Sequence, residues 1–450
     1  MNQKSDIIPT IVALSSGKGL AAIAVIRISG PRARFGLETT IGRVPSPRRA
    51  SLATVRDPTT KEPIDQALAL WFPGPETETG EDMAELHTHG GRAVVEATLT
   101  ALTGLEGFRL AEAGEFTRRA FENGQIDLTV VEGLADLIGA ETQSQRRQAF
   151  QQLVGTLGKR ADAWRQRLTE ALALVEANID FSDEGDVPAD LSGQVLRLVT
   201  ELKEEISKAL AGAARGERLR EGLTVAVAGP PNAGKSTLFN ALARRDVAIV
   251  SPIPGTTRDV LEVHLDLNGY PVTVLDTAGI RESGDPVERE GIDRARSRAA
   301  AADLVLWITE PGDLRAPPPL ESPIWRIQSK ADLVDSDAKL SSGRESEAQT
   351  RFSLSAKTGE GLEHFVGALS AFAGQAFGSG ESALVTRLRH RLLLERVVET
   401  LNRASKLGGS DLELLAEELR AAATDLGRLL GKIDVEDVLD VIFRDFCIGK

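Results

Sequence analysis

Apolar residues recur along this chain with two different periods, and the change from one to the other divides the chain. Up to about residue 120, short apolar runs alternate with glycine turns. The runs "AAIAVIRIS" (21–29) and "ALALWF" (67–72) are typical of β-strands in a mixed sheet. The first part of the chain therefore predicts an α+β arrangement of strands and helices.

Two later parts carry the helical spacing of three and four residues. Over 134–179 this spacing predicts an amphipathic helical hairpin, and a second helical stretch is expected over 191–215. The helical pattern returns after about Gly380. The apolar positions that define the two parts are Leu134, Leu137, Ile138, Phe150, Leu153, Leu157, Trp164, Leu168, Leu172, Val175, Leu392, Leu393, Val397, Leu401, Leu412, Leu415, Leu419 and Leu426.

Residues 222–375, between the helical parts, have the pattern of an α/β sheet. "LTVAVAG" predicts a buried strand, and "DLVLWIT" and "WRIQS" predict two more. "LEVHLDLNGYPVTVLDT" predicts two strands joined by a tight turn at Asn268 and Gly269. Helical patterns separate several of these strands.

The predicted fold class is multidomain α+β. An N-terminal α/β domain is expected over 1–122. An all-helical domain is expected to be discontinuous, over 123–217 and 379–450. An α/β domain over 218–378 is inserted between its two halves.

The motif "GPPNAGKST" (229–237) gives the strongest local indication of chemistry. It matches G-x-x-x-x-G-K-[ST] between a predicted strand and a helical pattern, which is the context of a phosphate-binding loop. Backbone amides at the helix N-terminus would surround the phosphates. Lys235 would reach the β- and γ-phosphates, and Ser236 would ligate Mg²⁺.

Later stretches resemble the boxes of Ras-like G proteins and favour GTP over ATP. They are "GTTRD" (255–259), "DTAG" (276–279), "SKAD" (329–332) and "SAK" (355–357). Asp276 would hold the Mg²⁺ shell, and the amide of Gly279 would contact the γ-phosphate. Asp332 would accept the N1 and N2 hydrogens of guanine, and adenine would leave that carboxylate unpaired. Ser329 stands where the pattern has Asn, which removes one contact to the base or to the loop.

The group that positions the attacking water is not decided by these boxes. Ras-like enzymes place a Gln directly after the second box, but this chain has Ile280 there, and an apolar side chain cannot orient water. Three glutamates follow, at Glu282, Glu288 and Glu290. The residues alone do not choose among the three.

Charge and composition limit the partners and the compartment. The net charge of −13 argues against broad non-specific binding to nucleic acid, so a nucleic-acid substrate would need a local patch or a partner protein. No apolar run of about 18 residues is present, so no membrane span is expected. The N-terminus lacks a basic segment followed by an apolar one, so no signal peptide is expected. The single cysteine excludes an internal disulfide framework and fits a reducing cytosol.

Over nearly its full length the chain resembles the MnmE/TrmE family of tRNA-modifying GTPases. The closing "FCIGK" beside a G domain is especially specific, because generic GTPases do not end this way. The stretches that carry the resemblance are "RISG" (27–30), "TGED" (79–82), "HTHGG" (87–91), "GEFTRRAFENGQIDL" (114–128), "IDF" (179–181), "GPPNAGKSTLFNAL" (229–242), "IPGTTRD" (253–259), "DTAGIRE" (276–282), "VERE" (287–290) and "FCIGK" (446–450).

The resemblance implies a cytoplasmic homodimer that works with an FAD-containing partner of the MnmG/GidA type on tRNA. Together they would add an aminomethyl or carboxymethylaminomethyl group to C5 of the wobble uridine. A 5-formyl- or methylene-tetrahydrofolate bound by the N-terminal domain would supply the one-carbon unit. GTP hydrolysis would drive association of two G domains. The sequence does not decide which tRNAs are modified, or whether glycine or ammonia supplies the nitrogen.

The resemblance also implies roles for individual residues. A K⁺ ion would be held by Asn232, Ser251, Ile253 and Thr256, while Thr257 would join Ser236 on Mg²⁺ and Glu288 would orient the attacking water. The folate would be bound by Arg27, Glu85, Gln125 and Lys450; Gln125 stands where the family commonly has Lys. The full GTP site would comprise Asn232, Ala233, Gly234, Lys235, Ser236, Thr237, Ser251, Pro252, Ile253, Pro254, Gly255, Thr256, Thr257, Asp276, Thr277, Ala278, Gly279, Lys330, Asp332, Ser355, Ala356 and Lys357.

The single cysteine, Cys447, lies four residues from the end and allows several interpretations. A prenylation box is disfavoured because Gly449 is not aliphatic and Lys450 is not a usual last residue. Packing beside Phe443 and Phe446 is the simple alternative. The family resemblance adds a catalytic thiol, activated near Lys450, on a tail that reaches the folate pocket.

Two other features keep alternatives open. His87 and His89 would share one face of a strand and could suggest a metal pair, but a structural role is favoured since no third ligand is in sight. For the whole chain, the alternatives are a regulatory GTPase of ribosome assembly and a folate-dependent transferase with a structural G domain. The first would need a basic RNA-binding module. The second is disfavoured by the intact nucleotide residues Lys235, Ser236, Asp276 and Asp332.

Overall fold

The structure is a computed structural model, and it describes residues 8–17, 19–180, 191–245, 247–249, 262–276, 302–313, 315–317, 319–333, 350–378, 383–408, 411–433, 439, 442–443, 446 and 449. The chain divides into two compact units, each assembled from separate parts of the sequence. The first unit comprises Met1–Ala135, Gly158–Arg165 and Thr424–Lys450, and the second comprises Asp136–Leu157 and Gln166–Ala423.

A six-stranded sheet forms the frame of the first unit. Its strands are β1 Thr10–Leu14, β2 Ala21–Ser29, β3 Ser51–Arg56, β4 Pro63–Phe72, β5 Met83–Gly90 and β6 Phe108–Leu110. Their order is β3-β4-β5-β2-β1-β6, and every neighbouring pair is antiparallel except β1 and β6. The strand predictions at 21–29 and 67–72 are confirmed.

Two helices, α1 (Ala33–Ile41) and α2 (Arg92–Thr103), pack against this sheet. The alternation of apolar and polar residues along each strand places one set of side chains in the core and the other set on the opposite face. Residues at the centre of this core have no exposed surface: Val12, Ile26, Ile28, Leu37, Val55, Leu86 and Leu102.

The N- and C-terminal parts of the chain meet in a second core of the first unit. Helix α3 covers Glu115–Glu122, and α4 begins at Leu128 and ends at Gly139. Leu128 and Val131 of α4 pack with Phe443 and Phe446 near the C-terminus. The two phenyl rings lie 5.5 Å apart, which confirms the predicted packing role of both aromatic residues.

Three helices, not a hairpin, occupy the stretch over which a helical hairpin was expected. After α4, helix α5 covers Gln143–Leu153 and α6 covers Thr156–Asp180. Thr142 ends the first connection because its side chain accepts from the Gln145 amide in a capping box. Gly155, with φ of 76°, separates α5 from α6. The apolar spacing continues from Leu153 to Leu157 and does not reveal the second break, whereas at the first break it is interrupted between Ile138 and Phe150.

The remaining helices of the helical part agree with the predicted positions within a few residues. They are α7 Leu191–Leu210 and α8 Ala213–Glu221, which together replace the single stretch expected over 191–215. Helices α9 (Lys235–Ala243) and α10 (Leu362–Phe377) flank the second sheet. Helices α11 (Leu388–Leu407) and α12 (Leu412–Leu430) follow it along the chain.

A second six-stranded sheet lies in the second unit. Its strands are β7 Leu223–Ala228, β8 Glu262–Leu267, β9 Tyr270–Asp276, β10 Leu304–Thr309, β11 Ile324–Gln328 and β12 Thr350–Ser353. The order is β12-β11-β10-β7-β9-β8, parallel throughout except for the antiparallel pair β8 and β9. Because the strands are parallel, the carboxyl ends of β7, β9, β10, β11 and β12 share one edge, where ligands of such sheets bind.

The turn between β8 and β9 confirms the predicted hairpin. Asn268 and Gly269 have φ values of 56° and 88°, as a two-residue turn of this kind requires. Strand β12 is the element of this sheet for which the sequence made no prediction. Its four residues show a single buried side chain, so the apolar pattern is too short to detect.

No helix among the described residues is both long enough and apolar enough to cross a bilayer.

Candidate functional site

The phosphate-binding motif forms the connection between β7 and α9. Gly229 passes so close to β10 that an added Cβ would lie 2.2 Å from the Ile308 carbonyl oxygen. Asn232 and Gly234 both have positive φ, at 63° and 91°. The loop therefore needs glycine at Gly229 to pass β10, and it turns in the left-handed region before α9 begins.

Lys235, the first residue of α9, turns its ammonium group back over the loop. Its Nζ donates to the carbonyl oxygens of Gly229 at 2.9 Å and Pro230 at 2.8 Å. Burial lowers the pKa of Lys235, and the nearby carboxylate of Asp276 partly offsets this. A bound phosphate would favour the charged lysine in the same way, so the position suits an anion.

Ser236 and Asp276 bring two oxygen ligands together at the same edge. The Ser236 hydroxyl lies 3.3 Å from Oδ2 of Asp276, which is the last residue of β9 and is fully buried. A hydroxyl and a carboxylate are the ligand types that Mg²⁺ takes from a nucleotide-binding protein, with phosphate and water completing the shell. Among the described residues, no group of three or more His, Cys, Asp or Glu side chains could hold a metal ion.

Ser329 follows β11 and connects the predicted base site to the phosphate loop. Its hydroxyl donates to the carbonyl oxygen of Ala233 at 2.7 Å, and its amide donates to that of Thr309 at 2.9 Å. The side chain is buried, with 6% of its surface exposed. The short hydroxyl thus keeps a contact to the loop at the position where the pattern has Asn.

The other residues of the base site lie on the loops after β11 and β12. Asp332 is exposed, and a hydrogen bond with the Ser355 hydroxyl lowers the pKa of its carboxyl group. Lys330 forms an ion pair with Glu310 at the end of β10. The Ala331 amide donates to the Leu354 carbonyl at 3.2 Å, which holds the two loops together.

Several predicted nucleotide residues are exposed or fall outside the described part of the chain. Thr237 and Lys357 are exposed and Ala356 is half-buried, all beside the loops described above. The predicted ligands and catalytic carboxylates that lie outside the described residues are Ser251, Pro252, Ile253, Pro254, Gly255, Thr256, Thr257, Thr277, Ala278, Gly279, Glu282, Glu288 and Glu290.

In the first unit, two predicted folate residues are direct neighbours. Arg27 of β2 stands opposite Glu85 of β5, and its Nε donates to Glu85 Oε1 at 3.3 Å. A second carboxylate, Glu78, lies 2.7 Å from the same guanidinium group, and the ring of Phe116 lies 5.7 Å from it. His87 Nε2 contacts the other oxygen of Glu85 at 3.0 Å. The sequence analysis did not identify Glu78 as a member of this group.

A cavity of about 210 Å³ opens beside this cluster. Its lining mixes apolar and carboxylate side chains: Arg48, Phe72, Glu76, Thr77, Glu78, Met83 and Glu85. Such a lining suits a flat ring with hydrogen-bond donors at its edge, as in a pterin.

Gln125 and Gly449, both distant from this cluster in the sequence, also make contacts within the first unit. The Gln125 side chain lies against Gly80, where an added Cβ would be 2.9 Å from its Nε2. The Ser15 hydroxyl, just beyond β1, donates to the carbonyl oxygen of Gly449 at 2.8 Å. An added Cβ at Gly449 would lie 2.2 Å from the Leu14 carbonyl oxygen. The predicted site residues Cys447 and Lys450 lie outside the described residues.

A buried network of ion pairs lies behind the cluster of Arg27 and Glu85, and it was not predicted from the sequence. Arg119 donates to Glu81 at 3.0 Å and to Glu115 at 2.9 Å, and Arg109 also binds Glu115 at 2.5 Å. Burial alone would raise the pKa of Glu115, but hydrogen bonds from Arg109, the Glu112 amide and Arg119 together lower it. The charged residues inside "TGED" and "GEFTRRAF" were a signal for this network.

His87 and His89 contact carboxylates instead of a metal ion. His87 contacts Glu85, and the ring of His89 lies 2.8 Å from Asp65 on β4. The structural role that was favoured for this pair fits these contacts.

Family models match both ends of this architecture. A model described as the MnmE helical domain matches residues 128–447, and one described as the GTP-binding protein TrmE N-terminus matches residues 10–125. A "tRNA modification GTPase MnmE" of Bradyrhizobium sp. (strain ORS 278) is 55% identical over 441 residues, covering 98% of this chain and 99% of the relative. The chain belongs to the MnmE family.

Other MnmE relatives are equally complete matches. One of Rhodopseudomonas palustris is 55% identical over 441 residues, with 98% of this chain and 99% of the relative covered. One of Azorhizobium caulinodans is 52% identical over 451 residues, with both chains fully covered. Among solved structures, the G domain of the T. maritima FeoB iron transporter covers 33% of this chain and 98% of its own, with 23% identity and a TM-score of 0.23, too weak a match to bear on function.

Proposed function

We propose that this MnmE-family chain is a GTP hydrolase that acts in tRNA modification in the cytoplasm. The observation that carries the proposal is the meeting of the phosphate loop and the two base-site loops at one edge of the second sheet. Ser329 joins them through its 2.7 Å hydrogen bond to the loop carbonyl of Ala233. The curated relatives, which match the chain end to end, are named tRNA modification GTPases.

The residues at this edge divide the work on GTP. Lys235 and the amides at the start of α9 bind the phosphates, and Asp332 accepts the guanine hydrogens. Ser236 and Asp276 hold Mg²⁺ with Thr257, and the ion neutralises charge on the phosphate oxygens when it is bound. Lys330, which is paired with Glu310, would contact the base from the same loop as Asp332.

Potassium is proposed as a second ion, bound by Asn232 with Ser251, Ile253 and Thr256. The positive φ of Asn232 is that of a loop residue held against a ligand site. A cation beside the phosphates stabilises the charge that develops in phosphoryl transfer. Glu288 would orient the attacking water, a task that Ile280 cannot perform.

Hydrolysis assays test the ion and the carboxylate together. We expect GTP turnover to be much faster in K⁺ than in Na⁺ at equal ionic strength. Glu288→Ala should keep GTP binding and lose about 100-fold or more in kcat, whereas the matched variants Glu282→Ala and Glu290→Ala should keep turnover. Equal rates in the two salts would exclude the potassium site, and full turnover by Glu288→Ala would remove that residue from the mechanism.

For the first unit, we propose a folate site built on Arg27 and Glu85, with Gln125 and Lys450. Glu78 is added to the set because its carboxylate shares the Arg27 guanidinium group. The carboxylates would accept hydrogen bonds from donors on a pterin edge, and the neighbouring cavity, lined in part by Phe72 and Met83, would hold the ring. A 5-formyl- or methylene-tetrahydrofolate supplies a one-carbon unit when bound there.

We further propose that the chain acts as a homodimer. Leu52 and Leu68 stand opposite each other on the face of the first sheet away from α1 and α2. They are 63% and 43% exposed, and Ile23 on the same face is 61% exposed. An apolar sheet face of this kind is a typical surface for a second copy.

The modification itself is proposed to be the addition of an aminomethyl or carboxymethylaminomethyl group at C5 of the wobble uridine. The chain carries 53 basic against 66 acidic residues, so a partner should provide much of the tRNA contact. An FAD-containing protein of the MnmG/GidA type is the proposed partner and would supply flavin chemistry.

Mass spectrometry of tRNA nucleosides tests this assignment directly. Cells that lack the protein should lose the C5-modified wobble uridine, and a plasmid copy should restore it. A copy with Lys235→Ala should not restore it, because the phosphates lose their lysine. Normal modification in the deletion strain would refute the proposed function.

A further inference from the structure

Residues 136–145, from the last turn of α4 to the first turn of α5, form a corner in the second unit. This corner contacts three other elements: the hairpin strand β8, the end of α8 and the start of α11. The polar contacts come from Asp136, Glu141 and Gln145, none of which belongs to the nucleotide site.

Asp136 accepts hydrogen bonds from two arginines, one where the chain enters the part that carries the second sheet and one where it leaves that part. Its Oδ1 accepts from Arg220 Nε at 3.0 Å and from Arg387 Nη2 at 2.6 Å. Arg220 is the next-to-last residue of α8, just before β7, and Arg387 directly precedes α11. The Asp136 and Arg387 side chains are only 15% and 16% exposed, so solvent screens this contact weakly.

The hairpin of β8 and β9 reaches the corner from the nucleotide edge. Strand β9 ends at Asp276, whose carboxylate lies beside Ser236. His264 of β8 pairs in register with Thr273 of β9, and its Nδ1 lies 3.1 Å from Glu141 Oε2. A shift of the hairpin when a nucleotide binds would therefore act directly on Glu141.

Two further observations place the corner against the hairpin turn and against the end of α8. At the hairpin turn, an added Cβ on Gly269 would lie 3.2 Å from the Ser144 hydroxyl. Gln145 closes the capping box of α5, and its Nε2 also donates to the Arg220 carbonyl oxygen at 3.2 Å. The residue that fixes the start of α5 thus also holds the entry to β7.

We propose that this corner couples the nucleotide state of the second sheet to the helices, with Glu141 receiving the signal from His264 and Asp136 holding both chain crossings. Both are positioning residues, because neither touches the nucleotide. The proposal rests on the proposed function, since the signal serves to connect GTP hydrolysis with tRNA modification. Two side chains in contact, such as His264 and Glu141, are coupled energetically. If a bound nucleotide shifts the strand that carries His264, the coupling energy should differ from one nucleotide to another.

A double-mutant cycle on the full chain tests the contact. The affinities of GDP and of the β,γ-imido analogue of GTP are measured for wild type, His264→Ala, Glu141→Gln and the double variant. We expect the coupling between the two positions to differ between the nucleotides by about 2-fold or more. Equal coupling for both nucleotides means a purely structural contact and overturns the proposal.

The matched control lies in the same hairpin but does not reach the corner. Asn268 Nδ2 donates to the Ser370 hydroxyl of α10 at 2.7 Å. The cycle of Asn268→Asp with Ser370→Ala should show the same coupling for both nucleotides. If the control responds as strongly as the His264 pair, the response belongs to the whole sheet, and the corner has no special part in it.

Asp136→Asn tests the clamp in the assay for tRNA modification. We expect GTP hydrolysis to stay at the wild-type rate, while the tRNA modified per GTP hydrolysed falls by about 2- to 30-fold. Glu176→Gln, which removes the exposed pair with Arg420, is the control and should change neither quantity. Unchanged modification, or a parallel loss of hydrolysis, would contradict the proposal. If the wild-type chain modifies no tRNA, the proposed function fails, and the nucleotide cycle alone decides the coupling.

Discussion

At Ser329 the sequence left open which contact the hydroxyl group keeps, and its position in the structure gives the answer. The departure from Asn removes a contact either to the base or to the loop. The structure shows the hydroxyl on the Ala233 carbonyl, with Ala233 itself 1% exposed in the core below the loop. A shorter polar side chain can therefore keep the loop in place, while the proposed recognition of guanine is left to Asp332.

We expect Ser329→Ala to weaken GTP binding by about 2- to 12-fold, because it leaves the Ala233 carbonyl without its donor. Ser329→Asn should bind GTP at least as tightly as wild type, since its amide can also donate to the loop. Fluorescence titration with a labelled guanine nucleotide measures both. Ser353→Ala, which alters an exposed serine at the end of β12, is the matched control. An unchanged affinity for Ser329→Ala would show that the hydrogen bond does not support the site.

At the scale of elements, α3 shows how charged contacts add to buried apolar residues in fixing the position of a short helix. Its buried face carries Glu115 and Arg119, which connect it to Glu81 before β5 and to Arg109 on β6. A buried ion pair contributes little by comparison with apolar packing, but removing one partner leaves an unpaired charge. The network therefore fixes the position of α3. Because Phe116 belongs to α3, the network also positions the ring that lies beside the Arg27 guanidinium group.

We expect Glu115→Gln to lower the free energy of unfolding by about 3–5 kcal/mol at pH 7, because Arg109 and Arg119 lose their shared carboxylate. The sign of the pH effect follows from the lowered pKa of Glu115. Its contribution is complete above the ordinary value of 4.5 and is lost as pH falls through the lower pKa of the folded state.

Urea titrations at pH 7 and below pH 4.5 measure this pH effect on the part of the chain that contains α3. The stability of Glu115→Gln should depend less on pH than that of wild type. Glu122→Gln, an exposed position on the same helix, should behave as wild type. A steep acid loss that persists in Glu115→Gln would assign the effect to other carboxylates.

The element boundaries that the sequence predicted poorly are the ones set by capping. The breaks before α5 and α6 depend on Thr142 and Gly155, whereas the apolar residues on both sides keep helical spacing. The hairpin at Asn268 and Gly269 was predicted correctly because two residues with positive φ leave a local signature. Strand β12 was missed because its pairing with β11, not its own pattern, makes it a strand.

For the whole molecule, the first sheet carries exposed apolar side chains on the face away from α1 and α2. Leu52 and Leu68 are neighbours there, and Gly449 from the C-terminus lies beside β1 of the same sheet. The proposed dimer and the proposed folate site would therefore share this unit, and a change of association should also alter ligand binding there.

We expect Leu68→Asp to shift the chain from dimer to monomer, because a carboxylate placed on the apolar face must be desolvated on association. Light scattering coupled to size-exclusion chromatography measures the mass. Leu414→Asp on α12, also an exposed leucine, is the control and should leave the mass unchanged. A dimer that persists in Leu68→Asp would place the interface elsewhere.

The sequence by itself determined the phosphate loop, the base-site motifs, the inserted α/β sheet and the family. These depend on local spacing, on glycine at tight turns and on residue types that few other chemistries require. Only the tertiary structure decided that Ser329 bonds the loop, that Glu78 joins Arg27 and Glu85, and that Asp136 holds both chain crossings. Those contacts join residues far apart in the chain, and the geometry of distant side chains depends on how strands and helices pack, which no local pattern records.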